Sequence, residues 1–151
     1  LFVLLRHLAR VRREAALPPR EGARSVAIRH VDAGSCNACE HELTATAAPQ
    51  YDLQRFGLDI VASPRHADLL LVTGPVTTRM EAALLRAYEA MPEPRRVAAL
   101  GDCALGCGVL AAASELARPL EELLPVEIRI PGCPPTPEQI AAAILAATPA
   151  P

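Results

Sequence analysis

SVAIRHVDAGSCNACEHE, residues 25–42, opens as a β-rich run, turns through Gly34 and delivers Cys36 and Cys39 at C-x-x-C spacing to the start of a helical segment. A strand that leads through a loop into a helix is the first half of a βαβ unit. The rest of the chain repeats the alternation. Further β-rich runs stand at LDIVA (58–62), ADLLLVTG (67–74), RRVAALG (95–101) and VEIRIPG (126–132), separated mostly by helical segments. Residues 77–91 read as a helix capped by Thr77 or Thr78, and 136–147 as another with Thr136 as N-cap and Pro137 in the first helical position. The pattern predicts an α/β domain on a doubly wound parallel sheet of about five strands.

The 151 residues suit one compact domain with a segment ahead of it. Residues 1–16 put Leu1, Leu4, Leu5, Leu8 and Val11 on one helical stripe and Arg6, Arg10, Arg12 and Arg13 mostly off it. Pro18, Pro19 and Gly22 then break the helix. The expected division is an N-terminal amphipathic helix and linker over 1–24 and the sheet domain over 25–148. Such a helix lies on a membrane surface, docks on a partner subunit or folds back on its own domain.

Composition narrows the function. A net charge of -2 and 3% aromatic residues provide neither the basic footprint nor the stacking rings of a nucleic-acid binder. The longest apolar runs, LFVLL, LLLV and VAAL, fall far short of the roughly 20 residues that span a bilayer. LFVLL also lacks the order of a secretory leader, so the expected compartment is the cytoplasm and the five cysteines are expected to be reduced or metal-bound.

The cysteines take their meaning from the strands. Cys36 and Cys39 follow the first, Cys103 follows RRVAALG, and Cys133 follows VEIRIPG. Strand ends of one polarity share one edge of a parallel sheet, where such folds bind ligands, so these four thiols are expected to gather there. Structural zinc usually takes paired C-x-x-C knuckles, whereas here one pair is joined by two isolated cysteines. That set suits an iron–sulfur cubane, whose irons each take a thiolate from a different direction. A thioredoxin-like pair accounts for CNAC but leaves Cys103 and Cys133 unexplained. Gly34, Gly101, Gly106, Gly108 and Gly132 allow close approach of backbone amides to sulfides, and Pro131, Pro134 and Pro135 stiffen the last loop.

Four stretches together carry a family resemblance: DAGSCNACEHE, YDLQRFGLDIVASPRHADLLLVTGPVT (51–77), YEAMPEPRRVAALGDCA (88–104) and VEIRIPGCPPTPEQI (126–140). They resemble the small, cluster-bearing subunit of energy-converting membrane-bound nickel–iron hydrogenases, relatives of the quinone-proximal 20 kDa subunit of respiratory complex I. The likeness covers nearly everything after Ser25. It implies a flavodoxin-like fold and one [4Fe-4S] cluster on Cys36, Cys39, Cys103 and Cys133, with Gly34, Ser35, Gly74, Pro75, Gly101 and Pro134 shaping the cofactor pocket. It implies an oxidoreductase subunit with no catalytic residue of its own, passing electrons between a catalytic large subunit and a ferredoxin-like iron–sulfur subunit. Membrane ion-translocating subunits complete the implied complex, with this chain peripheral on its cytoplasmic face.

Complex I subunits resemble a tandem Cys-Cys at the first site, whereas two residues intervene here, as in the hydrogenase branch. The alternative is a complex I-like NADH–quinone oxidoreductase subunit working against a 49 kDa-like partner and quinone. Cys107 stands where many relatives have glycine and is expected to be a neighbouring thiol, not a ligand. Glu40 and Glu42 are expected to relay protons, contact the partner or cap a helix. Arg65 and His66 match a family motif near the cluster and the large-subunit interface, with surface solvation as the plain alternative. His7, His30 and His41 show no metal-binding spacing.

Overall fold

In the computed structural model, which describes residues 5–6 and 25–147, five strands form one parallel sheet. They are β1 (Val26–Asp32), β2 (Leu58–Ile60), β3 (Leu69–Thr73), β4 (Arg96–Leu100) and β5 (Val126–Ile130), in the order β2-β1-β3-β4-β5. That is the flavodoxin-like order, in which the chain first builds outward from β1 to β2 and then reverses across it to β3. The helices are α1 (Ala38–Ala45), α2 (Glu81–Glu89), α3 (Leu120–Leu123) and α4 (Pro137–Ala147), with 3-10 turns at Leu53–Phe56 and Pro64–His66. The expected N-terminal helix lies, apart from Leu5 and Arg6, outside the described residues. Among the described residues no helix is long and apolar enough to cross a membrane.

Burial explains why LLLVT reads as an unbroken apolar run. β3 pairs with β1 on one side and β4 on the other and is covered on both faces, so all five of its residues are buried. Leu69 and Leu71 join Ile28, Leu43, Ile130, Ile140 and Ile144 beneath α1 and α4. Leu70 and Val72 face the opposite layer with Val97, Ala99, Leu84, Met91 and Leu124. Because Leu70 is fully buried, Leu70→Ala is expected to lower stability by about 2–5 kcal/mol in urea denaturation.

The helix ends show where local signals held. Thr136 caps α4 reciprocally: its Oγ1 accepts from Gln139 N at 3.4 Å, and its N donates to Gln139 Oε1 at 2.8 Å. Thr77 and Thr78 do not cap α2, which begins at Glu81 behind Met80. Instead Thr77 donates from both N and Oγ1 to Ala33 O, each at 3.0 Å, tying the start of this segment to the loop after β1. Between β4 and β5 a run of turns leads to the short α3.

Candidate metal centre

The loop after β1 is built by its own polar residues. Asp32 Oδ1 accepts from Gly34 N at 2.9 Å and Ser35 N at 2.7 Å, and Ser35 Oγ accepts from Asn37 N at 3.0 Å. Gly34 sits at φ 140°, and a Cβ there would lie 2.5 Å from Thr77 Cγ2 and 2.9 Å from Pro75 O. Asn37 then turns in the left-handed region at φ 67° and starts α1, which carries Cys39 in its first turn. DAGSCNAC is therefore a sequence for presenting two thiols at a strand end.

The other two ligand loops are stitched to each other. Gly101 N donates to Ile130 O at 2.8 Å and Asp102 N to Gly132 O at 2.9 Å, extending the β4–β5 pairing past the strands. Gly132 N in turn donates to Asp102 Oδ1 at 2.7 Å. Asp102 thus clamps the loop of Cys103 to that of Cys133. Its place in GDC gave no sequence signal, because its partner lies in another loop.

The four predicted cysteines, Cys36, Cys39, Cys103 and Cys133, line one small cavity with Ser35, Ala38, Gly74, Asp102, Gly132 and Pro134. Its walls fit closely around sulfur: a Cβ on Gly101 would come within 2.5 Å of Cys39 Sγ, and one on Gly108 within 2.4 Å of Cys103 Sγ. Burial pushes the Cys39 thiol up to about 11, with further upward contributions from Glu40, Cys103, Cys36 and Cys133. Uncompensated thiolates repel in this cavity, and a cationic iron or other metal centre removes that penalty. Among the described residues no group of three or more His, Cys, Asp or Glu is gathered tightly enough to hold a single metal ion.

The remaining candidates divide. Ser35, Gly74 and Pro134 line the thiol cavity and Gly101 backs Cys39, while Gly34 supports the first loop from behind. Pro75 lines a different cavity of about 400 Å³ behind the Cys103 loop, with Val76, Ala104, Leu116 and Arg118. That cavity shares only Cys103 with the thiol cavity and gathers no comparable donor set. Cys107 is exposed, and its Sγ lies 3.5 Å from Asp102 O. It does not line the thiol cavity. Glu40 turns back under α1 to Thr73, and Glu42 is half-buried on the same helix. Arg65 and His66 are exposed on the Pro64–His66 turn and do not line the thiol cavity. One participant escaped the sequence reading. His30 Nε2 lies 2.8 Å from Thr73 Oγ1 and 3.6 Å from Glu40 Oε1.

Comparison with known proteins identifies relatives of the chain. Residues 36–147 match the family described as NADH ubiquinone oxidoreductase, 20 Kd subunit. The chain is 46% identical over 117 residues to a probable membrane-bound hydrogenase subunit, mbhJ, of Pyrococcus furiosus, covering 78% of this chain and 70% of that one. It is 43% identical over 114 residues to formate hydrogenlyase subunit 7 of Escherichia coli, covering 76% of this chain and 45% of that one. Among solved structures, a chain of the membrane-bound sulfane sulfur reductase, an archaeal respiratory membrane complex, superposes with a TM-score of 0.69 at 33% identity, covering 81% of this chain and 67% of that one.

Proposed function

The chain belongs to the family of the 20 kDa subunit of NADH ubiquinone oxidoreductase, and from that premise we propose that it is the electron-relay subunit of a membrane-associated nickel–iron hydrogenase complex. One [4Fe-4S] cluster would be held by Cys36, Cys39, Cys103 and Cys133. The observation that supports this reading is that these four cysteines, from three separate loops, line one cavity. One C-x-x-C pair joined by two isolated cysteines from distant loops suits a polynuclear cluster, whose irons each take one thiolate, better than a single zinc ion.

A bound cluster would supply one-electron transfer and no bond chemistry of its own. The chain's residues do the rest. Asp102 fixes the spacing of Cys103 and Cys133 through its bond to Gly132 N. Gly101 and Gly108 leave space for the sulfurs of Cys39 and Cys103. Ser35, Gly74 and Pro134 close the walls, and Gly34 and Pro75 hold them from behind. Cys36 and Cys133 are exposed at the sheet edge, where an electron-exchanging partner has to approach.

That partner is expected to be the large subunit, with a ferredoxin-like subunit on the electron path and ion-translocating subunits in the membrane. The mbhJ and formate hydrogenlyase relatives favour hydrogenase chemistry. So does the C-x-x-C spacing at the first site. Glu40, Glu42, Arg65 and His66 are proposed to move protons or contact the large subunit. The complex I-like quinone reductase is the second reading, supported by the family itself.

The test is anaerobic purification of this chain and, separately, of its complex. The chain is expected to be brown, with about four irons and four sulfides and an electron paramagnetic signal on reduction. The complex should reduce dyes with dihydrogen; a colourless, zinc-loaded chain would sink the cluster reading, and quinone reduction by the complex without dihydrogen activity would favour the second.

Alkylation checks the ligand set directly. In apoprotein the exposed Cys36, Cys107 and Cys133 are expected to react before the buried Cys103 and the poorly ionised Cys39. In cluster-loaded protein only Cys107 should label, as read by peptide mass spectrometry. Protection of Cys107 together with labelling of Cys103 would reverse their roles.

A further inference from the structure

Cys103 and Cys107 share one tight turn at the end of β4. Leu105 N donates back to Gly101 O at 3.3 Å, Gly106 N to Cys103 O at 3.1 Å, and Cys107 N closes the turn on Asp102 O at 2.9 Å. Gly106, at φ 77°, brings the chain round. Cys107 Sγ lies 3.5 Å from the same Asp102 oxygen, on the peptide group that Asp102 shares with Cys103. With standard bond lengths these contacts keep the two Cα atoms no more than about 7 Å apart, and bridged cysteines usually stand about 4.4–6.8 Å apart. Cys103 Sγ rests against Gly108, the residue after Cys107, where a Cβ would come within 2.4 Å of it. The two thiols differ in access. Cys103 is buried, whereas Cys107 is exposed and lines neither the thiol cavity nor the larger cavity behind it. An exposed side chain changes rotamer readily, so Cys107 is the one that turns to meet the other.

We propose that in the cluster-free chain Cys107 forms a reversible disulfide with Cys103 on meeting hydrogen peroxide, and that this bridge keeps Cys103 from iron until a dithiol reductant opens it. That the bridge withholds a cluster ligand rests on the cluster reading above; the bridge itself does not.

The chemistry balances in two steps. The Cys107 thiolate attacks one peroxide oxygen, the O–O bond breaks, Cys107 becomes a sulfenic acid and the other oxygen leaves as water once protonated. The Cys103 thiolate then attacks Cys107 Sγ, the S–O bond breaks, the S–S bond forms and a second water leaves. Two thiols have given up two protons and two electrons, and one peroxide has become two waters. A dithiol reverses this by attacking the exposed Cys107 Sγ, which releases Cys103; its second thiol then displaces Cys107 and closes the reductant's own disulfide.

Access and proximity give the pairing its use. Cys107 meets the oxidant before the buried thiol does. A sulfenic acid left alone proceeds to sulfinic and sulfonic acids, whereas one with a thiol in the same turn is consumed as a disulfide. Cys36 and Cys133 are exposed too, but they stand on other loops. While bridged, Cys103 is spared irreversible oxidation and has no thiolate to offer iron.

The experiment uses the full chain, stripped anaerobically with a chelator and a dithiol, freed of both, and treated with one equivalent of hydrogen peroxide. Remaining thiols are alkylated, and the chain is digested with trypsin without reduction. Cleavage after Arg96 and Arg129, with Pro119 blocking cleavage after Arg118, gives a peptide whose only cysteines are Cys103 and Cys107. Mass spectrometry should find it unlabelled and two hydrogens lighter, and labelled twice when the dithiol is added before alkylation. Two labels without the dithiol, or a peptide joined to Cys36, Cys39, Cys133 or a second copy, overturns the proposal. Iron uptake from added iron and sulfide is then measured. The oxidised chain should take up severalfold less iron than the reduced chain until the dithiol is supplied, and Cys107→Ser should lose most of that difference. An undiminished difference in Cys107→Ser, or equal uptake by the bridged and reduced wild type, overturns the gate. A reduced chain that takes up no iron fails the cluster reading, and the peptide still decides the bridge.

Discussion

Serine at Cys36, Cys39, Cys103 or Cys133 is expected to yield colourless protein with cluster content reduced at least about tenfold in each case, because a cubane that loses one thiolate exposes an iron to exchange with solvent. Cys107→Ser should retain its colour and its iron. The prediction follows from position: four of the five cysteines line one cavity, and Cys107 lies outside it with its sulfur toward Asp102 O. Iron analysis and visible absorbance of the five variants decide the matter. A colourless Cys107 variant beside a brown Cys103 variant would exchange their roles.

Gly101→Ala should be nearly as damaging although no ligand is touched. Gly101 is buried at φ 89°, and a methyl group there would sit 2.5 Å from Cys39 Sγ. Two penalties coincide. The left-handed backbone costs a side chain about 1–3 kcal/mol, and the sulfur must leave the position from which it would bind iron. The expected outcome is loss of most of the cluster, with a lower thermal midpoint. Gly106→Ala separates the two effects. Gly106 also has a positive φ, 77°, but a Cβ there meets nothing within 4 Å. It should lose about 1 kcal/mol of stability and keep its iron. Equal iron loss in both variants would show that backbone strain, not crowding of Cys39, is what matters.

These residues also show what the sequence made legible. The apolar runs located all five strands, with ends shifted by a residue or two, because a strand buried on both faces has nothing but its own run to mark it. Alternation with helices then gave the parallel sheet, and the parallel sheet brought the cysteine loops to one edge. Thr136 was readable because its partner Gln139 is three residues away. Thr77 was not, because its hydroxyl is taken by Ala33, on the far side of the β2 excursion. The same non-locality hid His30 and Asp102. Each looks ordinary in its own segment and acquires a role only through Thr73 or Gly132, residues brought alongside by the fold. Arg65 and His66 had a clear motif but stand on an exposed turn and do not line the thiol cavity.

The strand order bears on the life of the chain during synthesis. β1 and β5 are the first and last strands to leave the ribosome, and the loops that follow them supply Cys36, Cys39 and Cys133. When β2, β1 and β3 have emerged and can pair, Cys36 and Cys39 have emerged with them, whereas Cys103 and Cys133 lie further along the chain. At that stage the nascent chain offers an incoming cluster two of the four proposed ligands, Cys103 follows after β4, and the set is complete only once the loop after β5 has been made. Under the proposed ligand set, iron–sulfur delivery has to wait for the loop after β5, and the time between the exposure of Cys36 and Cys39 and loading is when the site is most open to oxygen.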